Sequence, residues 1–449
     1  MNVSPLTRRR FARMLGSGAW AASVASSRSF AGPPESRKPN VILILADDLG
    51  FGDLRCFRGT YIRTPHLDAL ARRGMRFYNF HSNSPVDGPP RAALLTGRYP
   101  QRFGLEGETG PGRSLTGQAL PPGEFTFVRM LKKAGYPTAL FGKWFLGGAE
   151  ESRPLRQGFD EFRGFLSESI DYHSHLDIQG ARDWWINDRR SEEKGYVTDL
   201  ITQHGIRFME QHRAEPFCLF LSHAAAHYPY QGKKDEAYRK PGDAGPAEGV
   251  REDQANAYRE MVEALDASVG RVMESLKQLG LENDTFLFFC SDNGARVPGS
   301  NAHLSGGKGM LREGGIRVPA IAFWPGRVRA NMILMEAAMG IDFLPTVAEA
   351  CGCPLPDDLR PDGISLWPAL GELKSLPKRA LFWRHGGRRQ RERAVIRDDW
   401  KLYLTPQKPY LFNLGFDISE GLNFYESRSD LVAQLQKELQ AWEKDVDRK

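Results

Sequence analysis

The stretch Asn40-Val41-Ile42-Leu43-Ile44-Leu45-Ala46-Asp47-Asp48 joins a continuous apolar run, rich in β-branched residues, to a pair of acids. Apolar residues at every position, instead of every second one, are the pattern of a strand buried on both faces, the environment of a parallel sheet. The two acids then fall at the C-terminal end of the strand. That edge is where open α/β sheets bind their ligands.

Working outward, the same pattern returns. Thr138-Ala139-Leu140-Phe141 reads as a strand leading into Gly142-Lys143-Trp144-Phe145-Leu146-Gly147, and Phe217 to Ser222 as a buried strand that delivers His223 and His227 at its end. Thr285 to Cys290 is a further strand, running into the turn Ser291-Asp292-Asn293-Gly294. Between the strands lie helical spacings: Pro65 to Gly74 with Leu67, Leu70 and Ala71 inward, Thr126 to Ala134 closed by Gly135, and a long one from Gln254 to Leu279 with Met261, Leu265, Val269 and Val272 inward. Strand and helix alternate up to about residue 350, which predicts a doubly wound, mostly parallel sheet with helices on both faces. Beyond Leu381 the alternation in Ala394-Val395-Ile396-Arg397 and Trp400-Lys401-Leu402-Tyr403-Leu404 predicts an antiparallel meander, closed by an amphipathic helix from Leu431 to Trp442. Gln231 to Gly249, rich in Gly, Pro and Lys, reads as a surface loop.

Composition sets outer bounds. With 449 residues, 41% hydrophobic and 26% charged, the chain can build one large domain and a smaller one. No run is long and apolar enough to span a bilayer. Thr7-Arg8-Arg9-Arg10-Phe11, an apolar Met14 to Val24 and Ser29-Phe30-Ala31 read as a twin-arginine export leader over residues 1–31; a basic N-terminal tail is the alternative. The leader reading places the mature protein in the periplasm or outside the cell. Removing those residues deletes five arginines and no acid, so the net charge falls from +6 to +1. The basic balance is therefore a leader effect and no sign of nucleic-acid binding. The five cysteines, at 56, 218, 290, 351 and 353, match neither a zinc motif nor a disulfide framework. Cys218 and Cys290 lie in apolar runs and read as core.

Asp47, Asp48, Asp292 and Asn293 are three carboxylates and an amide, each pair placed just past a buried strand. Hard oxygen ligands of this kind suit Ca²⁺ or Mg²⁺. On spacing alone, helix caps and turn formers remain the alternative.

The stretch Asp87-Gly88-Pro89-Pro90-Arg91-Ala92-Ala93-Leu94-Leu95-Thr96-Gly97-Arg98-Tyr99-Pro100 resembles the signature of the sulfatase family, with Asp87 standing where the family has a Cys or Ser. The family oxidises that residue to formylglycine, whose hydrated aldehyde attacks sulfur. An Asp cannot be converted in this way, so no formylglycine is expected here. The resemblance extends from Val41 through Pro361-Asp362-Gly363-Ile364-Ser365-Leu366 and Tyr410-Leu411-Phe412-Asn413-Leu414 to the C-terminal helix. It implies an alkaline-phosphatase-like α/β fold, with a catalytic domain over 38–370 and a C-terminal α+β subdomain over 371–449.

By the same resemblance the acid pairs become the ligands of one divalent metal, with Ca²⁺ ahead of Mg²⁺, and Arg91, Lys143, His227 and Lys308 become the groups around the sulfate. Cations that neutralise a transferring sulfuryl group, with a His to protonate the departing oxygen, are what such a transition state needs. The implied activity is sulfuric ester hydrolysis on a small-molecule or glycan sulfate ester. Two departures bear on it. Phe145 stands where the family places the His that holds the formylglycine hydroxyls, and Pro90 replaces a Ser or Ala read by the oxidising enzyme. Asp87 itself has three roles open to it: a further metal ligand, a general base on water, or a carboxylate nucleophile. The competing functions are a catalytically silent binder of sulfated glycans and a metal-dependent phosphoesterase that uses water. Asp171-Tyr172-His173-Ser174-His175 and Trp184-Trp185 are similar to segments that sit near the family's substrate pocket, making His173 and His175 candidate substrate contacts; packing beneath a loop is the alternative for the tryptophans. Arginines between 384 and 397 could meet a polyanionic glycan or form a solvated face.

Overall fold

The computed structural model describes residues 37–106, 119–243, 245–387 and 391–448. The leader expected over residues 1–31 lies outside them, as do Arg388 and Arg389. Asn40–Ala46 forms a strand at the centre of a ten-stranded sheet, buried at every position. Cys218–Ser222 pairs with it in parallel on one side and Thr285–Ser291 on the other, with Leu45 opposite both Ser222 and Cys290. Thr138–Lys143 and Glu161–Phe165 continue the parallel set, and Ala320–Phe323 joins antiparallel beyond Thr285–Ser291.

Side-chain alternation along the central strand explains the two helical layers. Ile42 and Ile44 share a core with Leu67 of helix Pro65–Arg73, Ile201 of helix Val197–Gln211 and Leu265 of helix Gln254–Gln278. Val41, Leu43 and Leu45 face the other way, onto Leu94 of helix Gly88–Thr96, Leu131 of helix Phe127–Lys133 and Leu344 of helix Phe343–Ala350. Fully burying each such aliphatic side chain contributes about 1.5–3 kcal/mol, so neither layer can be omitted. The doubly wound expectation holds.

The C-terminal meander is also present, as Ala380–His385, Glu392–Arg397, Trp400–Leu404 and Pro409–Asn413 in sequential antiparallel order. Its closing helix, Ser429–Val446, starts before the expected Leu431 and runs past Trp442, where Val446 also packs into the core it shares with Leu435 and Leu439. That core includes Ala93, Leu311 and Ile341. The small sheet thus clamps the Asp87 helix and the loop that carries Lys308.

The loop over 231–249 is exposed over most of its described residues, as expected, and is anchored by buried ones. Within 231–249, Gln231 and Arg239 are buried, and the Arg239 guanidinium donates to the carbonyls of Ser169 (3.2 Å) and Leu176 (3.1 Å). A guanidinium brings several donors to one point, so it can close a polar interior.

Candidate active site

Each functional side chain is delivered by the C-terminal end of a strand or by the helix and loops beside it. Asp47 and Asp48 follow the central strand, Asp292 and Asn293 follow its neighbour, and Lys143 is the last residue of Thr138–Lys143. Gly142 is required there: its φ is +113°, and a Cβ would lie 1.9 Å from the Ser222 carbonyl oxygen of the adjacent strand. Asp87 sits at the N-terminal cap of Gly88–Thr96, where Pro89 and Pro90 occupy positions whose N–H groups have no helical partner. Its carboxylate does not cap the helix but turns into the site.

Arg91 is buried and binds carboxylates: its guanidinium donates to Asp47 at 3.1 Å, Asp292 at 2.8 Å and Ser222 Oγ at 2.6 Å. Lys143 Nζ lies 2.6 Å from Asp47 Oδ2 and 2.8 Å from Asp87 Oδ2. Lys308 Nζ lies 2.6 Å from Asp48 Oδ1 and 2.5 Å from Asp87 Oδ1. The His227 ring donates from Nδ1 to the Tyr228 carbonyl at 2.8 Å, a bond that makes Nε2 the unprotonated nitrogen of the neutral ring. Nε2 then faces Asp87 Oδ2 at 3.3 Å, two acceptors against each other. A proton or a cation between them is what electrostatics calls for.

Three further oxygens make the same demand. Asp47 Oδ1, Asp48 Oδ2 and Asn293 Oδ1 are buried and meet no hydrogen-bond donor among the described residues. Ligand atoms of Asp47, Asp48, Asp87 and His227 all lie within 4.8 Å of one another. Bare oxygen acceptors gathered at that spacing fit a hard divalent cation. Asp292 stands beside this group with its two oxygens engaged by Arg91 and by the Asp48 N–H at 3.2 Å. It orients the cluster as well as adding charge to it.

The titration behaviour follows from burial. It pushes Asp47 and Asp292 up to about 7 and Asp48 to about 6, a rise that the neighbouring Lys143, Arg91 and Lys308 only partly offset. Burial would raise Asp87 as well. There the charges of Lys143 and Lys308 outweigh it and hold the carboxyl well below its usual range. His227 is depressed by burial and by the charges of Lys308 and Lys143.

Phe145, with φ of 51°, places its ring centroid 5.1 Å from Lys143 Nζ, where it offers a π face and no hydrogen bond. His173 and His175 hold loops: His173 Nε2 is 3.1 Å from the Gly232 carbonyl, and His175 Nε2 is 2.9 Å from that of Gly195 while its ring stacks on Trp184 at 4.8 Å. Trp184 is fully buried, in keeping with packing. His223, delivered by the same strand as His227, turns instead to Ser268 Oγ at 3.2 Å on the long helix.

Glu168 and Tyr228 escaped the sequence reading. Tyr228 Oη donates to Glu168 Oε1 at 2.9 Å, and that oxygen lies 3.9 Å from His227 Nε2. Burial, then the charge of Asp87, raises the Glu168 carboxyl. Its signal was positional, since Glu168 follows the strand Glu161–Phe165 at the same sheet edge.

A doubly wound sheet whose C-terminal edge gathers acids, lysines and a histidine around one point defines an alkaline-phosphatase-like hydrolase architecture. The sulfatase family profile matches residues 39–353, and the chain belongs to that family. It is 33% identical over 422 residues to mouse (Mus musculus) steryl-sulfatase, a match covering 75% of this chain and 66% of the relative. To human (Homo sapiens) N-acetylgalactosamine-6-sulfatase it is 34% identical over 369 residues, covering 77% and 68%. The chain thus spans about two thirds of the length of these relatives. Among solved structures, Ps i-CgsB in complex with k-i-k-neocarrahexaose superposes with a TM-score of 0.80 at 29% identity, over 90% of this chain and 93% of that one.

Proposed function

We propose that the chain recognises sulfate esters of carbohydrates at a site centred on one divalent cation, Ca²⁺ in preference to Mg²⁺, and that it does not turn them over by the formylglycine route. The observation that carries this reading is the pair of short contacts from Lys143 and Lys308 to Asp87. A carboxylate occupies the nucleophile's position and draws both lysines, and its depressed pKa makes it a weak base. Asp47, Asp48, Asp87 and Asn293 would hold the cation, which supplies positive charge for an anionic ester. Four carboxylates, those of Asp47, Asp48, Asp87 and Asp292, face the three fixed cations Arg91, Lys143 and Lys308. Asp87 therefore tightens the hold on the metal and weakens the pull on sulfate.

The carbohydrate class is supported by the names and ligand of the relatives, N-acetylgalactosamine-6-sulfatase and the neocarrahexaose complex. Sulfuric ester hydrolysis by direct attack of water is the second reading. It is favoured by the closeness of the Asp87 carboxylate to the unprotonated His227 Nε2, which places two proton acceptors together. Calorimetry with sulfated galactosides, alongside sulfate release from the same panel and metal analysis of the same sample, tests the proposal. Binding without release is the expected result; release with unmodified Asp87 would establish the water route, and neither binding nor release would end both readings.

A further inference from the structure

The acids and basic groups at the centre are closed off from solvent, whereas Glu168 and Lys308 each keep 14% of their side-chain surface exposed and Phe145 is half-buried. Of the groups described around the centre, these three keep exposed surface and are the ones an entering molecule can meet. An ester that places its anionic group against the buried centre must leave its alcohol portion among them. Lys308 is a cation, Phe145 an apolar ring face and Glu168 a hydrogen-bond acceptor. Among the described residues no hydrogen bond reaches Glu168 Oε2, while Tyr228 Oη fixes Oε1. The carboxylate is thus oriented by one oxygen and free at the other.

We infer that Glu168 is a specificity-determining residue, selecting sugars that carry a free hydroxyl beside the sulfated carbon and rejecting those that carry a second sulfate there. This rests on the sulfate-ester reading given above. A hydroxyl donates to the free carboxylate oxygen, and hydrogen bonds to an ionised acceptor are among the stronger kind. A second sulfate at the same point has no proton to give and meets a like charge in a poorly screened site. The Phe145 ring supplies the apolar face on which a sugar's C–H groups can lie. Discrimination comes from repulsion as much as from attraction.

The test is calorimetric binding by the full chain, loaded with Ca²⁺, of galactoside 2-, 3-, 4- and 6-monosulfates and of the disulfates in which the neighbouring hydroxyl is also sulfated. Wild type should prefer the best monosulfate over its disulfate by about 10-fold or more. Glu168→Gln, which keeps shape and offers an amide donor to the second sulfate, should narrow that preference to about 3-fold or less, mainly by gaining disulfate affinity. Tyr228→Phe, which frees Oε1 without removing the charge, should retain a preference for monosulfates. Equal wild-type binding of both classes, or a Glu168→Gln variant that weakens both alike, overturns the inference while leaving the sulfate-ester site standing. Binding of neither class removes the site itself, and the inference with it.

Discussion

Asp87 Oδ2 and Lys143 Nζ lie 2.8 Å apart, both fully buried, at the point where the rest of the site converges. In sulfatases that point belongs to a neutral aldehyde hydrate, by the resemblance of the surrounding motif. In this chain Asp87 is held there in a buried ion pair.

Arg91, Lys143, His227 and Lys308 are all directed at the cluster around Asp87. Asp87→Cys alone should leave sulfate-ester turnover at background. Combined with Pro90→Ser and Phe145→His, and produced alongside a formylglycine-generating enzyme, it should raise aryl sulfate hydrolysis about 100-fold or more, seen mainly in kcat. Mass spectrometry confirming the aldehyde in an inactive triple variant would show that the pocket has diverged beyond its nucleophile.

One metal per chain is expected from the bare oxygens of Asp47, Asp48 and Asn293. Asp48→Ala should abolish stoichiometric binding by elemental analysis. Calcium at about 100 times its Kd should stabilise wild type by about 2.7 kcal/mol, read as a rise in Tm that the variant lacks. An equal rise in both proteins would place the metal elsewhere.

A carboxyl whose pKa is raised on folding holds its proton more tightly in the folded chain. Its contribution to stability is therefore full below the unfolded value of 3.8 and is lost as pH rises through the folded one. For Asp48 and Asp47 that window ends at about 6 and about 7. Metal-free protein should lose Tm from these groups as pH rises from 4 to about 7. Calcium must displace the same protons, so its affinity should increase over the same range. Titrations in EDTA and in calcium should diverge with pH; parallel curves would contradict the assignment.

Lys401 is fully buried between Glu313, at 2.8 Å, and Glu420, at 2.9 Å, and joins the small sheet to the loop bearing Lys308. Lys401→Met would leave two carboxylates buried without that cation. The expected cost is about 3–5 kcal/mol, measured as a lower urea midpoint. A loss below about 1 kcal/mol would mean that Arg317, 2.6 Å from Glu313, suffices for the network.

Much of this protein follows from local pattern. The uninterrupted apolar run Val41 to Leu45 requires burial on two faces, so helices must cover both, and the acids at its end must lie at the sheet edge. The identity of residue 87 likewise excludes an aldehyde by covalent chemistry alone. Pairing between distant segments is a different kind of fact. In the segment Asp171-Tyr172-His173-Ser174-His175, Asp171 accepts the N–H groups of Tyr238 and Arg239, and His175 lies against Trp184. His223 and His227 leave one strand and diverge, one toward the long helix and the other toward Asp87. Glu168 carries no motif and becomes part of the site through its approach to Tyr228 and His227. Apolar periodicity acts over a few residues and is written in the chain. Which buried donor meets which acceptor depends on contacts that for Glu168 and Asp171 span 60 residues or more, and only the packed tertiary structure brings those atoms together.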